Sequence, residues 1–509
     1  MISPSSKAHL TRAALAALLL GFGGCVNPPD PARHESDLTP GDHWTALAEQ
    51  PADETAPSLT VADASSQPPV DWLESFGDPT LVDLVNEALE KNPDLRALAQ
   101  TVSAARAAAR IDGADRLPQA SLGLDASRRQ IVVEDGAEPL RVRSDQGSLG
   151  LNVSWEIDIW GRLTDRAAAA VADLQAAEAD LAAARLSLAG QIARAWFRAS
   201  AARQLLQLAE ATVESFDATA RLVRDRFQTG VSSSLELRLA LANAAAAHAL
   251  LQQRTQELDA ATRRLEALLG RYPSRQLETV DTLPEIPLSI PAGLPSELLH
   301  RRPDILAAER RLAAADARVR AARKALLPSL RLTGSAGTAS EDLENLLDAD
   351  FSVWSIAAGL TQPLFQGGRL RANVELREAG AERAHADYIA TLINAFGEVE
   401  TRLAAEALLR QREKNLAEAA DHSEGAERLA RDEYEAGLAD IFSVLESQRR
   451  ALDARSAYIR VREERLNNRV DLHLALGGGF EAPSATTAAT GSSSPSSLSN
   501  DTATLVQTR

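Results

Sequence analysis

The chain has 509 residues and carries 54 Lys and Arg against 71 Asp and Glu, a net charge of −17 that argues against a nucleic-acid or anionic-lipid surface as its main partner. Aromatic residues make up only 4% and alanine fills many long stretches, a composition suited to long helices that meet through small side chains and not to a thick globular core. The single cysteine, Cys25, excludes an intramolecular disulfide.

Lys7, His9 and Arg12 precede an apolar run from Ala13 to Phe22, too short to span a bilayer and suited to an export signal. Gly23, Gly24 and Cys25 follow, and small residues before a lone Cys resemble a bacterial lipoprotein box. That resemblance implies a signal peptide over 1–24, cleavage before Cys25 and lipid on Cys25. Residues 25–71 are rich in Pro, Asp, Ala and Ser without periodicity and read as a tether.

Folded structure is expected from about Trp72. Asp78-Pro79 starts a short helix, and Asn92-Pro93 breaks it and opens a second one reaching Leu117. Pro118 hands over to a strand from Ala120 to about Ser127, and Glu134-Asp135-Gly136 supplies hairpin turn residues. On the return strand Leu149, Leu151, Val153, Trp155 and Ile157 alternate with Gly150, Asn152, Ser154, Glu156 and Asp158, the pattern of a barrel strand with lipid on one side and water on the other. A proline-free helical pattern then runs from Leu163 to about Gln228, long enough for a rod of about 100 Å. Thr229-Gly230 breaks it, and Ser232-Ser233-Ser234 offers caps for a returning helix that reaches Leu269-Gly270.

After a Pro-studded linker over 273–295 the plan repeats. In the helix from Pro303, residues Ile305, Ala308, Leu312, Ala315, Val319, Ala322 and Leu326 recur at alternating spacings of three and four, a helix-packing seam. Pro328 stops it, and Leu330, Leu332 and Gly334 then alternate with Ser329, Arg331 and Thr333 as in a strand. Trp354, Ile356, Ala358 and Leu360 mark one face of a fourth strand, Val353–Gln362. Pro93 and Pro303 stand 210 residues apart, whereas Gly230 and Gly437, like Gly270 and Gly477, stand 207 apart. The chain is therefore a duplication, 72–272 and 296–480, whose first hairpin is three residues longer. The tail, 481–509, is Ser/Thr-rich and reads as disordered.

The stretches RRPDILAAERRLAAADARV from Arg301, PLFQGGRL from Pro363, WEIDIWGR from Trp155, RFQTGVSSSLEL from Arg226 and EYEAGLADIFSVLESQR from Glu433 resemble the TolC-type outer-membrane efflux proteins, in the NodT-like lipoprotein branch that includes OprM. Physics requires an oligomer here, since four strands cannot close a membrane barrel and an open sheet edge is untenable in lipid. The resemblance implies a mainly α fold with a membrane β-barrel portion. It further implies a homotrimer whose twelve-stranded barrel continues into a long α-helical barrel, anchored to the outer membrane of a Gram-negative bacterium and reaching into the periplasm. The implied role is the passive exit channel of a tripartite, RND-type efflux pump, with a periplasmic adaptor and an inner-membrane transporter as partners and with no cofactor.

Few residues invite another chemistry. The eight histidines are scattered without metal-site spacings. Glu156 and Asp158 share a strand face as an acid/base pair would, but carboxylates facing a wet lumen explain the spacing, and such groups would disfavour anions. Asn152-Val153-Ser154 is a sequon inside a strand. The closed end is expected at the breaks Gly230 and Gly437, with Arg224, Asp225, Arg431, Asp432 and Asp440 as candidates for constriction or helix pairing. Alternatives are a protein-secretion duct with the same fold, a lipid-anchored periplasmic scaffold without a pore, and a lipoprotein enzyme, for which no nucleophile, metal or phosphate motif is present.

Overall fold

The computed structural model describes residues 72–135, 138–286 and 301–478. The expectations for 1–71, including the signal and Cys25, and for the tail lie outside the described residues, as does linker segment 287–300. After a short 3-10 turn at Glu74–Phe76 come α1 (Pro79–Lys91), α2 (Pro93–Ala114), β1 (Gln119–Asp135), β2 (Glu138–Ile157), α3 (Arg162–Gln228) and α4 (Ser234–Leu268). The second half supplies α5 (Pro303–Lys324), β3 (Ser329–Ser340), β4 (Ser352–Thr361), α6 (Arg369–Glu435) and α7 (Ile441–Ala475).

Local chemistry sets the breaks. Asp78 caps α1 by accepting the amides of Thr80 at 3.0 Å and Leu81 at 3.2 Å. Asn92 ends α1 and caps α2 through the amides of Asp94 and Leu95, and Pro79 and Pro93 occupy the first helical turns, where no N–H is needed. The seam of α5 is buried at Ile305, Ala308, Leu312, Val319 and Ala322. Leu326 falls beyond the end of that helix and is exposed, because α5 stops at Lys324 and not at Pro328. The helix α2 likewise ends at Ala114, short of Leu117.

The four strands form one antiparallel sheet in the order β1-β2-β3-β4. The pair Gln119 and Ser154 spans 35 residues and the equivalent pair Ser329 and Thr361 spans 32, which places the three extra residues in the first hairpin. That hairpin is paired from Gln119–Ser154 out to Asp135–Glu138, so β1 extends well past the Ser127 expected from the sequence. The second hairpin instead crosses through two short 3-10 segments, Leu343–Leu347 and Ala349–Phe351. Loop chemistry at the far end of a hairpin is free to vary in this way without disturbing the helices below.

At mid-height α1 and the described part of the linker wrap α3 and α7. Trp72, Phe76, Leu81, Leu84, Trp196, Phe197, Leu265, Leu269, Leu283, Leu466 and Val470 form the main core. The Trp196 indole donates to Asp78 at 2.7 Å. The linker is pinned by Glu266, whose carboxylate accepts the amides of Arg275 and Gln276 at 2.7 Å each and of Leu277 at 3.1 Å.

The duplication is not symmetric in its environment. Both α3 and α6 are 67 residues long, yet 28 residues of α3 are buried and only eight of α6. The cause is packing order: α5, the first helix of the second repeat, lies between α3 and α6, and β3 pairs with both β2 and β4. Ion pairs reinforce the α3–α5 join, from Arg318 to Asp173, from Arg311 to Asp180, and to Asp165 from both Arg320 at 3.2 Å and Lys324 at 2.6 Å.

Candidate functional site

The sheet is chemically two-sided across all four strands. One register row reads Ser121, Asn152, Ser335, Ser355, and the next reads Gln119, Ser154, Thr333. On this face the hydroxyls of Ser335 and Ser355 lie 2.8 Å apart, and the strands enclose a cleft of about 470 Å³. The opposite face carries the rows Ala120, Val153, Gly334, Ile356 and Leu122, Leu151, Ala336, Trp354, followed toward the helices by Trp155, Leu332, Ala358 and then Ile157, Leu330, Leu360. The alternations noted separately on β2, β3 and β4 thus fall on one common face. From Ile157 to Leu149 the apolar band is about nine residues tall, the length a tilted strand needs to cross a bilayer.

The join between sheet and helices is tied by indoles. Trp155 donates to the Arg116 carbonyl at 2.9 Å and Trp160 to the Pro328 carbonyl at 2.8 Å, each fastening the end of β2 to a segment that links a helix to its strand. Here the expectation for Glu156 and Asp158 needs correction. Glu156 is neutralised by Arg162 at 2.6 Å. Asp158 caps α3, accepting the amides of Leu163 at 3.0 Å and Thr164 at 2.7 Å and the Thr164 hydroxyl at 2.8 Å. Burial raises the Asp158 carboxyl, but these donors outweigh it and hold the group below its ordinary value. Asp158 lies past the end of β2 and shares no strand face with Glu156, which stays on the polar face in the row of Arg331; that face also carries Asp125 and Arg129 among its hydroxyls and amides.

At the far ends of the helices the tip residues separate into distinct roles. Gly230 and Gly437 take left-handed φ angles of 79° and 75°, which end α3 and α6 without the clash a β-carbon would bring. Asp440 caps α7 through the Ser443 amide at 2.8 Å and hydroxyl at 3.0 Å, the place held in the first repeat by Ser233 with Glu236. Arg431 is half-buried, donates to the Ser215 hydroxyl and pairs with Glu427 at 3.3 Å. Arg224, Asp225 and Asp432 are exposed, and among the described residues no ion pair joins them to one another.

Four further groups escape notice in the sequence. Gln448 is buried and donates to Ser215 at 2.8 Å and Thr219 at 2.9 Å, joining α7 to α3. Arg226 lies 4.3 Å from the centre of the Tyr434 ring and donates to the Glu435 carbonyl at 2.9 Å, joining α3 to α6. Higher up, buried Glu406 accepts from Arg465 at 3.1 Å, Arg469 at 3.0 Å and Asn468 at 3.3 Å. Above that cluster His473 stacks on Trp72 with ring centres 5.4 Å apart, and burial together with the Arg469 charge pushes its pKa down to about 3.

A two-faced sheet of bilayer height, standing on helical rods about 100 Å long, defines a membrane-channel subunit with a long helical extension. The family model for outer membrane efflux proteins matches residues 84–271 and 294–478. The chain is 36% identical over 441 residues to the pyoverdine export outer membrane protein OpmQ of Pseudomonas putida, covering 84% of this chain and 92% of that one. It is 31% identical over 466 residues to the toluene efflux pump outer membrane protein TtgF of the same species, with 91% and 96% covered. Its fold superposes on the CmeC outer membrane channel of Campylobacter jejuni with a TM-score of 0.81 at 27% identity, over 90% of this chain and 96% of that one. The chain belongs to the outer membrane efflux protein family, whose members are passive outer-membrane channels and not enzymes.

Proposed function

We propose that three copies of this chain close head to tail into a twelve-stranded barrel continuous with a helical tunnel. In this reading the assembly is the exit channel of a tripartite, RND-type pump, fed by an inner-membrane transporter through a periplasmic adaptor. One observation carries the assembly. Three elements of the second repeat (α5, β3, α7) pack on the first repeat, while the equivalent elements of the first repeat (α2, β1, α4) make no comparable join within the chain. At the other end β4 has all ten residues exposed, and α6 leaves Leu376, Ile393 and Leu408 open. A next copy supplying its β1, α2 and α4 to β4 and α6 would repeat the join already made inside the chain, and repeating one join closes a ring.

The names of the relatives support small-molecule cargo over protein secretion, and they differ in that cargo, pyoverdine in one case and toluene in another. The duct is therefore read as indifferent to substrate, with selection left to the transporter. The two-faced sheet speaks against a scaffold without a pore. Cys25 is proposed as the lipid-bearing residue, so radioactive palmitate should label the wild type and not Cys25→Ala, and equal labelling would remove that anchor. The gate is placed at the tips near Gly230 and Gly437, where an adaptor would spread the helices.

Planar-bilayer recording of the detergent-purified full chain tests the function. A trimeric mass with discrete conductance steps that change in Asp432→Lys is expected. A monomer that forms no steps would contradict the channel, and steps unaltered by Asp432→Lys would place the gate elsewhere.

A further inference from the structure

We propose that His248 makes the tie between α3 and α4 proton-dependent, so that mild acid clamps the first helical hairpin and holds the lower end of the tunnel closed for longer. The inference rests on reading the chain as a channel whose gate lies at the helix tips.

The two hairpins are laced unequally. Between α6 and α7, arginines hold carboxylates along most of the seam: Arg402 holds Asp471 at 3.1 Å, Arg469 holds Glu406 at 3.0 Å, Arg465 holds Glu413 at 2.7 Å, Arg412 holds Glu464 at 2.8 Å and Arg455 holds Glu424 at 3.8 Å. Between α3 and α4 the described residues make one contact ion pair, from His248 Nε2 to Asp217 Oδ2 at 3.2 Å. Arg198 attracts Glu257 across the same seam, but its bond is to Glu463 of α7.

The duplication shows what has been exchanged. Asp217 and Glu424 stand 207 residues apart, and so do His248 and Arg455, the offset that also separates Gly230 from Gly437. Hydrogen bonds bear out this correspondence: Trp155 donates to the Arg116 carbonyl, and Gln362, 207 residues later, donates to the Leu326 carbonyl. At one height, then, the second repeat carries a permanent cation and the first an imidazole. Asp217 lies 11 residues before the end of α3 at Gln228, about 16 Å above the tip. A cross-tie at that point resists the sliding of rods that opening requires.

The surroundings leave the proton to decide. On α4 no charged residue stands between Arg238 and Arg254. On α3, Glu214 and Arg221 flank Asp217 by about one turn to either side and oppose each other in sign. From α6 and α7, the side chains clustered with Ala244 and Ala247 are Tyr434, Ile441, Val444 and Leu445, with no acid or base besides the phenol. Arg455 shares a cleft with Leu208, Ala211 and Thr212 of α3, so in the proposed ring the same offset sets Glu418 of the neighbouring copy beside His248. A second carboxylate there favours the charged imidazole. Histidine gains its charge between about pH 8 and pH 5, and a charge-assisted hydrogen bond is about twice as strong as a neutral one. The tie is therefore complete in mild acid and weakens as the pH rises.

Hydrogen exchange of the full-length oligomer in detergent, read by mass spectrometry at pH 7.5 and pH 5.5 and corrected for intrinsic rates, tests the tie. Local exchange is the readout because buried His473 weakens the whole fold in acid. Peptides around Asp217 and His248 should exchange on the order of threefold more slowly in acid, and those around Glu424 and Arg455 should not slow. In His248→Arg the slow exchange should hold at both pH values, and in His248→Gln at neither. In planar bilayers the closed dwell times should lengthen in acid for wild type and not for His248→Gln. No slowing in wild type, equal slowing in His248→Gln, or dwell times in that variant that follow pH as in wild type would overturn the proposal while leaving the channel intact. A wild type that conducts no current would defeat the channel reading itself, whatever the exchange shows.

Discussion

His473 shows how a single buried residue sets the pH response. In the unfolded chain its pKa is the ordinary 6.5, whereas in the fold burial and Arg469 hold it near 3. Between these values the unfolded state binds the proton and the folded state does not, so stability is complete above pH 6.5 and falls as pH drops toward 3. At pH 5 the loss amounts to about 2 kcal/mol. In His473→Leu the difference in melting temperature between pH 7.5 and pH 5 should shrink relative to wild type, and an unchanged difference would mean that the imidazole is protonated in place. Arg469 stands one helical turn before His473 and is visible in the sequence, whereas the burial and the Trp72 ring that covers the imidazole come from tertiary packing. Asp158 is hidden for another reason: it caps α3 from beyond a left-handed glycine, Gly161, so its spacing from the helix is not that of an ordinary cap.

At the scale of elements the sequence is most informative where a period is enforced on both sides. The strand faces of β2, β3 and β4 are legible because one wrong step would turn every side chain to the other face. Helix breaks at Gly230 and Gly437 are legible from glycine chemistry. The outer end of the sheet is not, since β1 continues through Arg128 and Arg129 on backbone pairing with β2, and polar residues there carry no apolar alternation. Nor is the contrast between α3 and α6, which share a length and differ in their surroundings. That contrast has a consequence. Leu376 and Leu408 on α6 are 64% and 73% exposed in the single chain, and the proposed ring would cover them. Leu376→Asp with Leu408→Asp should convert the trimer to monomer in detergent while circular dichroism still reports full helix. A stable trimer carrying both aspartates would mean that α6 faces solvent.

The whole molecule is one plan used twice and left unfinished. Each repeat provides a helix that enters a strand, a hairpin and a long helical pair, and the second repeat completes itself on the first. Duplication, the strand-to-helix joins and the need for further copies follow from the sequence and from the cost of an open sheet edge in lipid. The polar ties that hold rods in register, Gln448 to Ser215 and Glu406 to Arg465 and Arg469, need coordinates, because charged and polar residues are plentiful on every helix and only packing selects the few that pair. The central claim is that the sheet divides lipid from water. Its most direct test places one cysteine at a time in a Cys25→Ser background, with the protein in native outer membranes. Leu332→Cys should react with a lipid-phase maleimide and resist a water-soluble one, and Thr333→Cys should do the reverse. Equal labelling of both positions by the water-soluble reagent would contradict the barrel.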